Sequence, residues 1–554
     1  MFSHFLRKVR LIGSAKADSD RSLRLNGRRW HLAPNAMTIL GPKGPDLDRW
    51  IASGIAEIVK TGPHRTVYWV RLPGGTLFVK HCRINGFRAW AREVLRPPKA
   101  RLEFENLQAA QKCGVAAAVP LAWGCGDSRW PGESFLITRA LENAVPFVEW
   151  LACRNPDTTR KLGEFFAKLH DAGIAHPDPH PGNLLVQTMR GALGSADSTS
   201  RLTDNRTSPL TFSLIDLHAV RIGRPLSWAA SRANLVVFNR WFQLRASRTE
   251  RLRFWQGYRK TRTTLPPANA KRLAAEAREL ERATTASNRR FWAGRIARCL
   301  GNNRYFQRIR HVRFRGHAVS DLAPELLREL LNDPDAFFKP ANLLKDSRTS
   351  TVAEIPVRSL ILKRVNVRRW WEPVKNLLRA SAVLRSWING HALRDRLLPT
   401  PRPLAAWHRY RFGLPTEGYL LTEKVGAAEP LTCRAALPLA RLLRTMHDRG
   451  VAHRDLKASN LLLASGREPT FIDLVGVRVG YSVRFHERCK ELARLNASFL
   501  ADPAVTRSAR LRFLQTYLAS GECRLGNWKA WWRSVSRATA AKQAKNRRSG
   551  RPLT

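Results

Sequence analysis

What this chain lacks narrows its possible roles before any motif is read. Its eight cysteines are scattered, with no Cys-x-x-Cys pair and no histidine at ligand spacing. That excludes a disulfide framework and a structural zinc site, and it reads as the reduced thiols of a cytosolic protein. Charges interrupt every apolar run well short of the ~18 residues that a membrane-crossing helix needs. Residues Met1 to Arg10 hold no apolar signal core, so export is not expected. Acidic residues are scarce, 43 Asp+Glu against 96 Lys+Arg, for a formal net charge of +53. Such an excess does not bear on fold; it points to an anionic partner, either a membrane leaflet, an anionic glycolipid or nucleic acid. Arg/Trp clusters such as Arg369-Trp370-Trp371 are scattered and build no recognisable nucleic-acid module, so no specific nucleic acid is expected.

What is present is a duplication. His176-Pro177-Asp178-Pro179-His180-Pro181-Gly182-Asn183 and His453-Arg454-Asp455-Leu456-Lys457-Ala458-Ser459-Asn460 share the pattern His-x-Asp-x-x-x-x-Asn, 277 residues apart. An apolar run follows each, and then Ile-Asp-Leu at Asp216 and at Asp473. This is the order of a kinase catalytic loop and its metal-binding aspartate. Flanking residues repeat too. Leu169-His170-Asp171 and Met446-His447-Asp448 precede the loops, Asn239 and Asn496 each lie 23 residues past the aspartate, and Arg251 to Tyr258 matches Arg510 to Tyr517. A period this long means duplicated domains; solenoid units run ~20–50 residues.

At 554 residues and 44 % hydrophobic content, two such domains fit, each large enough to bury a core. The expected organisation is a basic arm over residues 1–22, a first kinase-like domain over 23–265, a basic helical connector over 266–325, a second kinase-like domain over 326–535 and a disordered basic tail over 536–554. The fold class is α+β: two tandem protein-kinase-like domains, each with a small β-rich N-lobe and a helical C-lobe. In the connector, Trp292, Ile296 and Leu300 share one helix face among arginines, which suits packing on a domain better than a membrane surface. Asp178 and Asp216 lie 38 residues apart and Asp455 and Asp473 only 18, so the first copy carries a Gly/Ser/Thr/Asp-rich surface insertion from about Thr188 to Pro209.

The chemistry follows from residue type. Phosphoryl transfer asks a protein for positioning and charge neutralisation. Lys80 and Lys363 each end a short apolar strand and can hold phosphate oxygens as point charges. Asp178 and Asp455 are the candidate general bases. Asn183 with Asp216, and Asn460 with Asp473, offer hard oxygen ligands for Mg²⁺, with ATP as the phosphoryl donor. His176 and His453 read as braces of the loop. Glu103 is the candidate partner of Lys80, with Glu105 second; the equivalent helix of the second copy, Ala380 to Leu393, has no carboxylate, which leaves Glu372 for Lys363. If one copy is a regulator, this loss points to the second. Neither copy has a glycine-rich loop: Thr61-Gly62-Pro63 holds one glycine and Asp346 to Ser350 none.

The paired loops, the shortened phosphate loops, Ser386 to Leu393 and Pro399 to Pro403 together resemble the lipopolysaccharide core kinase family. The resemblance spans roughly 23–265 and 326–535. It implies an ATP-dependent kinase acting on a Kdo or heptose hydroxyl, cytoplasmic and peripheral on the inner face of the cytoplasmic membrane, with an anionic glycolipid or membrane surface as partner. The basic surplus agrees, since each Lys or Arg near an anionic leaflet is worth ~1 kcal/mol. Two other readings stand beside it. His453 to Asn460 alone would pass for a Ser/Thr protein kinase, although no Ala-Pro-Glu follows Asp473. A tandem pseudokinase scaffold on an anionic surface is the third.

Overall fold

A computed structural model describes residues 21–128, 130–150, 155–188, 210–367, 371, 373–374, 379–426, 428–464, 468–521 and 525–550. The chain divides into two compact units, residues 1–287 and 288–554.

In unit 1, strands β1 (Arg21–Leu25), β2 (Arg28–Leu32), β3 (Ala56–Gly62), β4 (Arg65–Leu72), β5 (Gly75–Cys82), β6 (Val119–Gly126) and β7 (Ser134–Arg139) form one antiparallel sheet in the order β1-β2-β6-β7-β5-β4-β3. Side chains alternate across a strand. Tyr68 and Val70 of β4 and Leu77 and Val79 of β5 therefore enter one core with Trp30, Trp50 and Phe135, and Lys80 faces the other way. On that face α1 (Lys99–Lys112) packs Phe104 and Leu107 into a second core that includes Leu136, the register partner of Lys80.

The helical lobe comprises α2 (Pro156–Asp171), α3 (Trp228–Phe242), α4 (Arg248–Thr261) and α5 (Ala270–Arg298), the last of which belongs to unit 1 as far as Ser287. Local sequence sets these starts. The Asn155 side chain accepts from Thr158 N–H ahead of Pro156, and Ser247 with Glu250 forms a capping box. Strands Leu184–Thr188 and Leu210–Leu214 pair antiparallel.

Unit 2 repeats the scheme. Strands β8 (Phe306–Arg310), β9 (Phe314–Val319), β10 (Leu343–Asp346), β11 (Ser350–Ile355), β12 (Leu360–Val365), β13 (Pro403–Arg411) and β14 (Leu414–Glu423) lie in the order β8-β9-β13-β14-β12-β11-β10. Helices α6 (Ala382–Asp395), α7 (Ala436–Asp448), α8 (Phe485–Ser498), α9 (Arg507–Ala519) and α10 (Trp528–Arg548) complete it. Thus both units carry the β-rich N-lobe and the helical C-lobe expected from sequence.

Shared contacts fix the correspondence residue by residue. Asn239 and Asn496 both donate to a threonine hydroxyl, Thr284 in α5 and Thr539 in α10, at 3.1 Å each. Gly223 N–H donates to Gly173 O at 3.1 Å, and Gly480 N–H to Gly450 O at 2.8 Å. Gly173 and Gly450 have φ +73° and +75°, and an added Cβ would lie 2.0 and 2.3 Å from those partners' carbonyl oxygens. Only glycine serves at these positions.

The domain limits differ from those expected. The helical connector is not a linker: its helix corresponds to α10 and supplies the last helix of unit 1, while residues 306–319 form two strands of the second sheet. Trp292 is buried in unit 2, with the Arg396 guanidinium 4.2 Å from its ring, and Ile296 and Leu300 on the same face are half-buried. The tail expected to be disordered is helical to Arg548, with Trp531, Thr539 and Asn546 buried. Ala, Lys, Arg and Gln dominate this stretch and are strong helix formers, so propensity and one packed face outweigh its charge. The first strand begins at Arg21, inside the expected basic arm, whose residues 1–20 lie outside the described residues, as do 189–209 of the insertion and Glu372.

Candidate active site

In unit 1 the geometry gathers Lys80, Glu103 and Asp216. Lys80 Nζ lies 2.5 Å from Glu103 Oε1 and 4.0 Å from Asp216 Oδ1. Glu103 shares the inward face of α1 with Leu107 and Ala110, whereas Glu105 points outward and pairs with Arg101 at 2.7 Å. The side chains of Lys80 and Glu103 are 14 % and 6 % exposed, so the pair is shielded from solvent.

Asp216 has two further partners that its motif did not reveal. Arg65 Nη1 donates to both carboxylate oxygens at 3.3 and 3.2 Å, and His218 Nδ1 donates to Oδ1 at 2.8 Å. Burial alone would raise the pKa of this carboxyl; the His218 hydrogen bond and the charges of Lys80 and Arg65 prevail and hold it far below the usual carboxylate range. Asp216 adopts φ +65°, a left-handed conformation that costs a non-glycine residue and is kept where the surroundings enforce it. Arg65 begins β4 directly after the Gly62 turn, and that register position was the only hint in sequence.

The catalytic-loop residues meet this cluster through backbone geometry. Ile215 N–H donates to Asn183 O at 3.0 Å, and Ile472 N–H to Asn460 O at 3.1 Å, which sets each loop asparagine beside the residue that precedes Asp216 or Asp473. Asn183 Nδ2 donates to Asp178 O at 3.1 Å and Asn460 Nδ2 to Asp455 O at 2.8 Å. Each asparagine thereby spends its donor on the loop and leaves its amide oxygen available. The histidines brace the loops. His176 Nδ1 accepts from Asp178 N–H at 3.1 Å, and His453 Nε2 donates to Asp473 O at 2.8 Å. Burial lowers the pKa of both. Behind the first loop, Tyr258 OH donates to His170 Nδ1 at 2.9 Å and His170 Nε2 donates to Asn234 Oδ1 at 3.1 Å; burial lowers the pKa of His170 to about 4.

Sequence reading also missed the asparagines that tie each helix to the segment following Asp216 or Asp473. Asn106 Nδ2 donates to Leu217 O and Val220 O at 2.8 and 3.2 Å; Asn389 Nδ2 donates to Leu474 O and Val477 O at 2.9 and 3.1 Å. This equivalence aligns the helices, and Glu103 then corresponds to Ser386, whose hydroxyl donates to Ala382 O at 3.0 Å. In unit 2, Lys363 Nζ lies 3.5 Å from Asp473 Oδ1, its one carboxylate partner among the described residues.

These donor sets suit a hard divalent cation and a polyphosphate. In each unit a carboxylate sits beside an ammonium, and the loop asparagine is tied to the residue next to that carboxylate. Glu103, Asp216 and His218 place ligand atoms within 4.8 Å of one another, although Arg65 and His218 hold the same carboxylate that a cation would need.

A family model described as the lipopolysaccharide kinase (Kdo/WaaP) family matches residues 77–258 and 374–517, one stretch in each unit. Curated relatives include 3-deoxy-D-manno-octulosonic acid kinases. The one from Haemophilus influenzae (strain PittEE) is 32 % identical over 114 residues, 18 % of this chain and 47 % of the relative. That from Xanthomonas campestris pv. campestris (strain B100) is 33 % identical over 136 residues, 22 % of this chain and 53 % of the relative. The chain spans about half the length of these relatives.

Proposed function

Since the chain belongs to the lipopolysaccharide kinase (Kdo/WaaP) family, we propose that it is an ATP-dependent phosphotransferase acting on a sugar hydroxyl of lipopolysaccharide core, Kdo or heptose, at the cytoplasmic face of the membrane. The observation that carries this reading is the buried Lys80–Glu103 pair set against Asp216, with Asp178 and Asn183 on the adjoining loop. Mg²⁺-bound ATP supplies the electrophilic phosphorus and much of the charge neutralisation. Glu103 fixes the rotamer of Lys80 so that its ammonium meets phosphate oxygens at low ordering cost. Asp178 accepts the proton of the attacking hydroxyl, at the position His176 holds through the loop backbone. Asn183 and Asp216 present the oxygens that orient the cation.

Unit 1 is the transferring unit in this reading and unit 2 the regulator, because Ser386 stands where Glu103 does in unit 1. The surplus of basic residues supports a peripheral hold on an anionic leaflet carrying the glycolipid; among the described residues no helix is long and apolar enough to cross a membrane. The test is transfer from γ-labelled ATP in the presence of Mg²⁺ and Kdo- or heptose-bearing core glycolipid. Label on the glycolipid is expected; label on protein alone overturns the acceptor assignment.

A further inference from the structure

In the helical lobe of unit 1, Glu281 of α5 is the centre of a polar cluster. Arg251 Nε and Nη2 donate to its two oxygens at 2.9 and 3.2 Å, Asn239 Nδ2 donates at 3.1 Å and Gln243 Nε2 at 3.3 Å. Arg251 is held from behind by Ala246 O at 2.7 Å. Unit 2 keeps most of this receptor and loses its anion. Arg510 corresponds to Arg251. With no carboxylate among the described residues to hold them, its Nε and Nη2, the edge that grips Glu281 in unit 1, turn to Val505 O, the counterpart of Ala246 O, at 3.2 and 2.9 Å. A ligand carboxylate would draw that edge back. Asn496 and Thr539 correspond to Asn239 and Thr284. Ser536, three residues before Thr539 as Glu281 is before Thr284, replaces the carboxylate. Among the described residues no carboxylate pairs with Arg510.

The space beside Arg510 has opened as well. Leu431, Leu495 and Leu514 line a cavity of about 150 Å³, together with Arg510, Asn496 and Ser536. Their counterparts in unit 1 are Phe147, Phe238 and Trp255. These larger rings are packed there, Phe147 and Phe238 lying 5.9 and 4.7 Å from Phe242 and Trp255 5.3 Å from Trp228. Trp532 in place of Ala277 recovers only part of the lost volume. A wholly apolar cavity of this size takes up a benzene-sized guest, and this one has a guanidinium and a carboxamide on its wall.

We infer that the unit 2 pocket binds a small amphipathic carboxylate, its head group replacing the Glu281 carboxylate on Arg510 and Asn496 and its apolar body replacing the missing rings. The commitment to a carboxylate rests on unit 1, where that group occupies the equivalent receptor. The inference is independent of the reaction proposed above.

Titrating octanoate into the full chain by calorimetry, with octanol as the neutral match, tests it. One saturable site is expected, with octanol at least tenfold weaker. Ser536→Glu supplies the anion internally and should weaken octanoate at least tenfold; Leu495→Phe fills the cavity without changing charge and should do the same. Octanoate should raise the melting temperature of the unsubstituted chain and leave that of Leu495→Phe unmoved. Equal binding of octanol, unchanged octanoate affinity in either variant, or saturable binding to phosphatidylglycerol vesicles without any to octanoate would overturn it.

Discussion

Replacing Glu103 by Gln perturbs the cleft at the point where the two units differ most. The amide keeps the shape and one acceptor oxygen, so Lys80 loses the charge of a partner 2.5 Å away in a site where both side chains are largely buried. Removing one member of a buried pair outright costs about 3–5 kcal/mol. Here Asp216 Oδ1 at 4.0 Å remains to take up the ammonium and the amide still accepts, so the stability loss should be about 1–3 kcal/mol. Swinging Lys80 toward Asp216 also misplaces the ammonium. At ~1.4 kcal/mol per tenfold, a similar loss in the transition state lowers kcat/KM by roughly 10–100-fold. Steady-state kinetics with ATP as the varied substrate, paired with thermal unfolding, would show it. Ser386→Ala removes no charge and should leave turnover within about twofold. Wild-type kinetics in Glu103→Gln, or a larger loss in Ser386→Ala, would refute the reasoning.

Two further outcomes are expected. His170 is protonated near 6.5 when unfolded and only near 4 when folded, so the unfolded chain binds the extra proton between those values. Stability of unit 1 should therefore fall as pH drops from about 6.5 to 4, by roughly 3 kcal/mol, and change little above pH 7 from this group. Urea unfolding followed through that window checks it, and a flat profile would contradict the buried neutral imidazole. Asn106→Ala leaves Leu217 O and Val220 O without their side-chain donor next to Asp216 and should cost about 1–3 kcal/mol in unit 1; Asn389→Ala should cost about the same in unit 2. Melting temperatures of the two variants report both, and a shift in neither would show these contacts to be incidental.

The pattern of the site was readable because its chemistry lies on short segments. A loop of eight residues, a strand lysine and Ile-Asp-Leu recur in the same order in both copies, with the loop's internal spacing kept, and the strands around them alternate as sheets demand. The choice of Glu103 over Glu105 was also accessible, since Glu103, Leu107 and Ala110 share a helical face. Arg65 and His218 were not accessible, because their meeting with Asp216 depends on strand register and a left-handed residue. The role of α5 was hidden for a similar reason. Its kinship with α10 rests on single threonines bonded to matching asparagines, while the surrounding sequence has diverged. Charge misled at the other end of the chain, where a basic composition was read as disorder and the packed face of Trp531, Thr539 and Asn546 prevails.

The most direct test compares Asp178→Asn with Asp455→Asn in phosphoryl transfer to core glycolipid. Removing the general base of the working cleft should slow transfer by roughly 10²–10⁴-fold. That loss is expected in Asp178→Asn, with Asp455→Asn within a few-fold of the unsubstituted chain. Equal losses in both, or the greater loss in Asp455→Asn, would contradict the assignment of the chemistry to unit 1.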